Sequence, residues 1–423
     1  MSTAYRSRVV FPPQSPGSVS RILMKDEQHL HHETSWPDAT IAAGYMRGEN
    51  RGVLILLILC GVVSALTCGL LLRVGQESAR RYGEFMPQRF HAGHVPRLGG
   101  AAMFVACTVG WAWMAVAERY LHIPNFIPFD FDLALRWWVA ALVCVAAGIV
   151  EDLTQRVRPR SRFVSTALAA VLAALLLGLS IPRTDLPPLD VLWRLAPWLG
   201  IGVAVLVMAG LPHAFNIIDG YNGLAGLVAL ICCMAIAYVA LQVGDRQLAA
   251  IVVVLAGATA GFLLWNYPHG LIFAGDGGAY LWGLIIAMAG TQLVQRHAEV
   301  SPWFPVLLLI YPIWETLFSM YRKTARGQSP SLADALHFHQ LIYRRVVRQV
   351  FHDDAARRML IRNNRTSPYL WGFTILTVAP AVLFWRSTPL LIAFTVLFIV
   401  SYLWAYHSIV RFRVQRWLRR RRR

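Results

Sequence analysis

Long runs of apolar residues alternate with short polar segments along most of the chain. This pattern predicts eleven apolar helices, each close to the roughly 20 residues that a bilayer crossing needs. The predicted helices lie near residues 53–72, 98–117, 133–150, 164–181, 195–215, 223–241, 247–265, 279–295, 303–320, 368–385 and 388–408. We therefore predict an all-α fold, a polytopic integral membrane helical bundle of about 11 transmembrane helices.

The composition supports a membrane protein. The chain has 423 residues, of which 57% are hydrophobic and only 15% are charged, whereas typical soluble chains carry about 25% charged residues. A disordered chain and a disulfide-stapled secreted domain are both excluded. The six cysteines all lie in apolar runs without regular spacing, so they indicate neither disulfides nor a thiolate metal site.

The basic residues predict the orientation of the bundle. The formal net charge is +18, and most lysines and arginines lie in segments that follow odd-numbered predicted helices. By the positive-inside rule, these segments and the C-terminus face the cytoplasm, as in a multi-pass protein of a bacterial inner membrane. The charge is therefore a topology signal and an attraction to anionic lipid, and no nucleic acid is expected as a partner.

The polar segments divide the chain into expected parts. These are a polar, disordered N-terminal tail (1–52), the multi-span membrane domain (53–410, with a long cytoplasmic loop at 321–367) and a basic cytoplasmic tail (411–423). No signal peptide precedes the first predicted helix, which is expected to be an uncleaved anchor. The tail carries a histidine cluster that reads better as part of a solvated segment than as a metal site: His29, His31 and His32.

Polar residues collect in five segments, all of which follow odd-numbered predicted helices. The segments are HVPRLGG (94–100), EDLTQRVRPRSRF (151–163), NIIDGYNGLA (216–225), NYPHGLIFAGDGGA (266–279) and HFHQLIYRR (337–345). If polar clusters fell at random on the two sides, finding all five on one side would be uncommon. Their convergence above an apolar bundle predicts a cytoplasmic active site where a water-soluble anionic substrate meets a lipid.

Two of these segments offer oxygen ligands directly after an apolar helix. Glu151 and Asp152 end the third predicted helix, and the arginines after them either bind phosphate or only offset the acidic pair; the residues leave both interpretations open. Asn216, Asp219 and Asn222 place three polar side chains on one turn. Such a turn suits a hard cation such as Mg²⁺ better than it suits an ordinary polar connection.

The last two segments add a carboxylate and two histidines. Asp276 is flanked by glycines just before a predicted helix, which is either a plain turn or a place where a carboxylate and free N–H groups meet a Mg²⁺–diphosphate. His337 and His339 do not share a helical face, which argues against a zinc pair. Their segment predicts an amphipathic interfacial helix that contacts phosphate or headgroups.

In this order, the five segments resemble the polyprenyl-phosphate N-acetylhexosamine-1-phosphate transferases, a family that includes phospho-N-acetylmuramoyl-pentapeptide transferase. The resemblance covers roughly residues 90–345, and the histidine segment is closer to the N-acetylglucosamine branch. It implies that undecaprenyl phosphate, or another polyprenyl phosphate, attacks the β-phosphorus of a UDP-N-acetyl sugar and that UMP leaves. It also implies Mg²⁺ as cofactor with Mn²⁺ as a substitute, a homodimer, and a role in starting O-antigen or exopolysaccharide synthesis.

The resemblance further implies roles for single residues. Asp276 and Asn216 would hold the metal, and Asp152 would act at the acceptor phosphate as base or orienting group. The other residues of the expected catalytic set are Glu151, Asp219, His337 and His339. The expected substrate contacts are Asn222 and Phe273 at uracil, Arg344 at the sugar and diphosphate side, and Arg97 and Arg162.

Departures from the family pattern leave alternatives open. Glu151 stands where the family has the first of two aspartates, which favours Asp152 as the essential carboxylate, and Gln340 replaces a histidine, which leaves the sugar undecided. The rival functions are the peptidoglycan branch of the same family and a non-enzymatic transporter of lipid-linked sugars. A transporter would favour inverted repeats and charges near the bilayer midplane, and the sequence shows neither feature.

Overall fold

The structure is a computed structural model that describes residues 39–75, 94–121, 131–329, 336–348, 350 and 352–411. The histidine cluster of the N-terminal tail and nearly all of the basic C-terminal tail lie outside the described residues. The chain divides into two units, Met1–Gly48 and Glu49–Arg423. The helices and site that follow belong to the second unit, except that the first helix begins at Ala39, inside the predicted tail.

Every regular element in the described ranges is helical. The elements are α1 (Ala39–Val74), α2 (Gly99–Leu121), α3 (Phe131–Thr154), α4 (Pro159–Leu177), α5 (Pro187–Leu195), α6 (Trp198–Ile218), α7 (Leu224–Gln242), α8 (Arg246–Asn266), α9 (Gly275–Arg296), α10 (Trp303–Leu308), α11 (Ile310–Thr324), α12 (Phe338–Leu341), a π-helical segment (Ile342–Val346), α13 (Ala355–Leu383) and α14 (Thr388–Val410). Within the described part of the chain, ten helices are long and apolar enough to cross a membrane. The all-α, multi-pass membrane fold is thereby confirmed.

The ninth predicted span, 303–320, forms two helices instead of one. Helix α10 ends at Leu308 and α11 begins at Ile310, with Pro312 in the first turn of α11, where a missing N–H is tolerated. Helix α11 also buries Glu315. The prediction of eleven spans therefore becomes ten long helices and one divided segment, and the orientation derived from an odd number of crossings stays a prediction.

The predicted loop 321–367 contains the beginning of a long helix. The side chain of Asp354 accepts a hydrogen bond from the N–H of Ala356 at 2.8 Å and so caps α13. This helix then continues without a break into the predicted span 368–385. Its first turns are rich in arginine and asparagine, so hydropathy alone did not extend the helix toward its true start.

The histidine segment is helical but not interfacial. It forms α12 and the π-helical segment, and Phe338 and Leu341 are buried inside the protein. The ring of Phe338 packs against Phe373 of α13 and Tyr402 of α14. The prediction of an amphipathic helix on the membrane surface is therefore wrong, because its apolar side chains bury against two neighbouring helices instead of lipid.

Helix α9 is the centre of the bundle and is buried over Gly275–Val294. It packs most extensively against α6 and α3. At its first turn, glycines allow backbones to touch: a Cβ on Gly100 of α2 would overlap the N–H of Gly278, and a Cβ on Gly148 of α3 would overlap Gly277. These contacts explain the glycine-rich segments of the sequence and hold the beginning of α9 against α2 and α3.

Candidate active site

Asp152, near the C-terminal end of α3, binds the first turn of α9. Its Oδ1 accepts a hydrogen bond from the N–H of Asp276 and its Oδ2 accepts one from the N–H of Gly277, both at 2.9 Å. A carboxylate at a helix N-terminus satisfies free N–H groups and interacts favourably with the helix dipole. Asp152 therefore joins α3 to α9, while its role as a base stays a prediction.

Asp276 lies where the ends of three other helices meet. Its Oδ1 accepts a hydrogen bond from Nδ2 of Asn216 on α6 at 2.8 Å, and its Oδ2 accepts one from Arg162 on α4 at 2.9 Å. The hydroxyl of Tyr280, one turn further along α9, lies 3.4 Å from the same Oδ2. The structure thus brings together the two predicted metal ligands and one predicted substrate-binding arginine.

Arg162 links two carboxylates. Its guanidinium forms ion pairs with Glu151 and with Asp276, and Oε2 of Glu151 accepts a hydrogen bond from the N–H of Val157 at 2.9 Å. This arginine therefore offsets the acidic residues, which is one of the two interpretations that the sequence left open. The other basic residues of the segment are exposed to solvent: Arg156, Arg158 and Arg160.

Asp219, in the turn after α6, has a raised pKa. Desolvation among the helix ends raises the pKa of this carboxyl to about 7, against a lowering effect of the Arg97 guanidinium and with a further increase from Asp276. Arg97 is also within electrostatic range of Asp152. Four carboxylates and two arginines therefore share the same end of the bundle, so the added charge of a diphosphate requires further cations there.

The segment before α9 pairs with the segment before α2. The N–H of Phe273 donates to the carbonyl of Pro96 and the N–H of Gly99 donates to the carbonyl of Phe273, both at 2.9 Å. These hydrogen bonds place Arg97 and Phe273, two predicted substrate contacts, in neighbouring connecting segments. Arg97 and Phe273 are far apart in sequence, but the segments that carry them lie side by side in the structure.

The turn that follows α6 is held by α13. The backbone N–H of Asn222 donates to Oδ1 of Asn363 at 2.8 Å, and its carbonyl accepts from the hydroxyl of Ser367 at 2.7 Å. Gly223 has φ +69°, a conformation that glycine adopts without strain. Sequence reasoning missed the residues of α13, because a run of asparagines and a serine beside arginines reads as a loop.

His337 is fixed by a buried carboxylate. Its Nδ1 lies 3.0 Å from Oε1 of Glu315 on α11, which is fully buried. Glu315 also accepts hydrogen bonds from the N–H of Phe338 at 3.1 Å and from the hydroxyl of Tyr402 at 2.7 Å. The sequence did not single out Glu315, although an isolated acidic residue inside an apolar segment is a recognisable signal.

His339 connects the histidine segment to the turn after α6. Its ring stacks on His337 with centroids 5.3 Å apart and meets the ring of Tyr221 edge-on at 5.5 Å. A Cβ on Gly220 would lie only 3.1 Å from its Nε2. His339 is therefore adjacent to the Asp219–Asn222 turn and His337 stacks on His339, while Arg344 is exposed and interacts electrostatically with Tyr221 of the same turn.

His213 is a second residue that the sequence did not single out. It lies one helical turn before Asn216, and its Nε2 is 2.9 Å from Oγ1 of Thr166. Because that hydroxyl donates to the carbonyl of Phe163 at 3.0 Å, Nε2 of His213 is the donor to the hydroxyl. The imidazole also meets Tyr280 edge-on at 5.4 Å, close to Asp276.

Similarity to known proteins indicates the class of protein. Residues 134–294 match Glycosyl transferase family 4. The chain is 28% identical over 392 residues to the decaprenyl-phosphate N-acetylglucosaminephosphotransferase of Mycobacterium tuberculosis, which covers 83% of this chain and 90% of that protein. It is 25% identical over 262 residues to the undecaprenyl-phosphate alpha-N-acetylglucosaminyl 1-phosphate transferase of Thermotoga maritima, covering 61% of this chain and 72% of the relative.

A third relative comes from the peptidoglycan branch. The phospho-N-acetylmuramoyl-pentapeptide-transferase of a Synechococcus species is 32% identical over 148 residues, which cover 34% of this chain and 42% of the relative. The fold and these relatives together indicate a membrane-embedded transferase, and its polar groups gather at one end of a helical bundle. The family match and the longer relatives support the resemblance of the five segments to the polyprenyl-phosphate N-acetylhexosamine-1-phosphate transferases.

Proposed function

We propose that the protein transfers an N-acetylhexosamine 1-phosphate from a UDP-N-acetyl sugar to a polyprenyl phosphate such as undecaprenyl phosphate. A phosphate oxygen of the lipid forms a bond to the β-phosphorus of the donor. The bond between that phosphorus and the oxygen bridging to the α-phosphate breaks, and the bridging oxygen leaves with UMP. The product is a lipid-linked diphosphosugar. The observation that carries this proposal is the meeting of Arg162, Asn216 and Tyr280 at Asp276.

Asp276 and Asn216 fit the Mg²⁺ site that the family implies. Nδ2 of Asn216 donates to Oδ1 of Asp276 at 2.8 Å, and a 180° turn of this amide would bring its oxygen to the carboxylate instead. Mg²⁺ at phosphates commonly uses one or two protein oxygens together with substrate oxygens. No cluster of three or more histidine, cysteine or acidic ligands occurs among the described residues, so substrate phosphates supply further ligands in this proposal. When bound, Mg²⁺, or Mn²⁺ in its place, neutralises charge on the diphosphate.

The arginines and histidines bind and orient the anionic substrates in this proposal. Arg162 already pairs with Asp276 and presents a planar fork of donors that suits phosphate oxygens. Arg97 offsets the negative charge of Asp152 and Asp219. His337 and His339, beside the turn after α6, are assigned to the sugar and diphosphate side.

Asp152 is better suited to orienting than to attacking. Both of its carboxylate oxygens accept backbone hydrogen bonds from α9, which directs them at the first turn of that helix instead of at a substrate. We therefore propose direct transfer, in which positioning and electrostatic stabilisation supply most of the rate acceleration. In this scheme Asp152 keeps the first turn of α9, and with it Asp276, in place.

The sidedness and the biological role are also proposals. The distribution of basic residues supports a site facing the cytoplasm of a bacterial inner membrane, where the water-soluble donor would meet the lipid acceptor. The lipid product would start a surface polysaccharide such as O-antigen or exopolysaccharide. A homodimer is proposed on the family resemblance alone.

The peptidoglycan branch is the second candidate function. The similarity to the Synechococcus enzyme over 148 residues favours it, whereas the longer matches favour N-acetylglucosamine donors. The two candidates differ only in the sugar-phosphate that is transferred. A single assay can therefore separate them.

The test is a UMP-release assay on purified protein with undecaprenyl phosphate and Mg²⁺. UDP-N-acetylglucosamine, UDP-N-acetylgalactosamine and the UDP-N-acetylmuramoyl pentapeptide are offered in turn, with acceptor omitted as the control. Acceptor-dependent release with a UDP-N-acetylhexosamine supports the proposal, and release with the pentapeptide donor alone supports the second candidate. Folded protein that releases no UMP with any donor would refute both.

A further inference from the structure

We infer that Asn364 on α13 orients the side-chain amide of Asn222 so that Asn222 accepts a hydrogen bond from the nucleobase of the donor. The inference rests on the proposed function, because it takes the base next to Asn222 to belong to a UDP-sugar. Asn364 lies outside the five polar segments and outside the matched residues 134–294. It would be a positioning residue that determines base specificity.

The orientation begins at a backbone carbonyl. The carbonyl of Pro268 can only accept hydrogen bonds, and Nδ2 of Asn364 donates to it at 2.7 Å. The other atom of the Asn364 amide is therefore Oδ1, which accepts from Nδ2 of Asn222 at 3.0 Å. The Nδ2 of Asn222 also lies 3.4 Å from the carbonyl of Pro268. One carbonyl and two amides thus admit only one assignment of nitrogen and oxygen.

The relay of hydrogen bonds from the Pro268 carbonyl through Asn364 to Asn222 leaves Oδ1 of Asn222 on the side of its amide that faces away from Asn364. Asn222 is only 2% exposed, and among the described residues its Oδ1 is a buried acceptor without a hydrogen-bond partner. It lies beside Gly270, where a Cβ would come within 2.7 Å of Oδ1. A buried acceptor is costly unless a donor reaches it, so this oxygen is suited to an N–H group of a ligand.

The chemistry of pyrimidines makes the orientation decisive. The N3 atom of uracil carries a hydrogen and donates, whereas N3 of cytosine has a lone pair and accepts. An asparagine amide has almost the same shape in its two orientations, so only its partners decide which atom faces the base. With Asn364 in place, Asn222 favours uracil; with the amide free to rotate by 180°, the discrimination weakens.

The backbone of Asn222 is held independently of its amide. The side chains of Asn363 and Ser367 bind its N–H and its carbonyl, at 2.8 and 2.7 Å. Loss of Asn364 alone should therefore leave the turn in place while releasing the amide. This separation allows an effect on base preference to be distinguished from a general disturbance of the site.

The test compares the affinities of the full-length purified protein for UMP and CMP by titration calorimetry in detergent. Asn364→Leu removes both hydrogen bonds of the relay, and we expect the preference for UMP over CMP to fall on the order of tenfold. Asn364→Asp still accepts from Nδ2 of Asn222, although its second oxygen then faces the carbonyl of Pro268 as another acceptor, so we expect it to keep the preference at a lower unfolding temperature. Thr374→Val is the matched control, because Thr374 is a buried residue of α13 whose hydroxyl bonds only within the helix in the described structure, to Leu370 at 3.0 Å.

Each outcome decides the question. The inference is supported if Asn364→Leu loses the preference for UMP over CMP while Asn364→Asp and Thr374→Val keep it. If thermal unfolding shows that leucine is not accommodated, Asn364→Ala replaces the leucine variant. An Asn364→Leu protein that binds UMP and CMP with the wild-type ratio overturns the inference while the proposed function stands. Wild-type protein that binds neither nucleotide and releases no UMP overturns both.

Discussion

Replacing Asp152 by asparagine separates a structural role from a chemical one. In the structure, both carboxylate oxygens accept N–H groups at the first turn of α9. In Asp152→Asn, one of these oxygens becomes an NH2 group that faces an N–H, so one hydrogen bond is lost and two donors are left opposed. The negative charge at the helix N-terminus is lost as well.

The magnitude follows from these contacts. A hydrogen bond to a charged group contributes about 1.5–3 kcal/mol, and a charge at a helix N-terminus adds about 0.3–1 kcal/mol. Asp152 is only 4% exposed, so water does not replace what is lost. We expect Asp152→Asn to lower the free energy of unfolding by about 2–4 kcal/mol and to reduce UMP release, because Asp276 shifts with its turn.

The measurement is thermal unfolding in detergent, paired with the UMP-release assay on the same preparations. The matched control is Asp190→Asn in α5, whose carboxylate accepts from the N–H and the hydroxyl of Thr184, both at 2.7 Å, away from the site. That variant should keep wild-type UMP release. If Asp152→Asn unfolds at the wild-type temperature yet releases no UMP, the structural reasoning is refuted and Asp152 acts in the chemistry.

Further predictions test other parts of the site and the fold. Asp276→Asn should reduce UMP release to background, and a variant with wild-type activity and an unchanged Mg²⁺ titration would contradict the metal assignment. Glu315→Gln should lower kcat about 10- to 100-fold, because His337 loses its ionised partner; an unchanged kcat would show that this pairing is not used. Gly100→Ala should destabilise the protein by about 1–3 kcal/mol through backbone overlap. The control is Gly210→Ala, where a Cβ has nothing within 4 Å, and its unfolding temperature should not fall below that of the wild type. A tag after the last residue should resist protease added to intact cells, and cleavage there would reverse the proposed orientation.

The sequence predicted the helices well, and it predicted most of the residues that meet around Asp276. Apolar runs long enough to cross a bilayer leave little choice of secondary structure, so ten of the eleven predicted spans reappear as long helices. The glycines around Asp276 and the acidic end of α3 pointed to the right regions, but α9 begins at Gly275 instead of 279 and α3 continues past the predicted end at 150 to Thr154. What the sequence could not give was pairing, because contacts such as Arg162 with Asp276 join residues that are far apart along the chain.

The errors have a common physical origin. Hydropathy records apolar side chains, so it missed the polar beginning of α13, where Asn363 and Ser367 bind the turn after α6. It also assigned the histidine segment to the membrane surface, because Phe338 and Leu341 show only that an apolar surface must be covered. Whether lipid or protein covers such a surface depends on α13 and α14, which local sequence does not reveal.

The glycine contacts between α2, α3 and α9 also determine which parts of the protein can move. Where backbones touch without intervening side chains, helices cannot rotate or slide without losing contact along the whole junction. Asp152 of α3 and Asp276 of α9 therefore behave as one rigid body. Helix α6 belongs to the same body, because a Cβ on Gly283 of α9 would overlap the backbone of Pro212. Opening to admit a bulky lipid from one direction and a sugar nucleotide from another is left to α4, whose Arg162 meets that body through a side chain that can change rotamer.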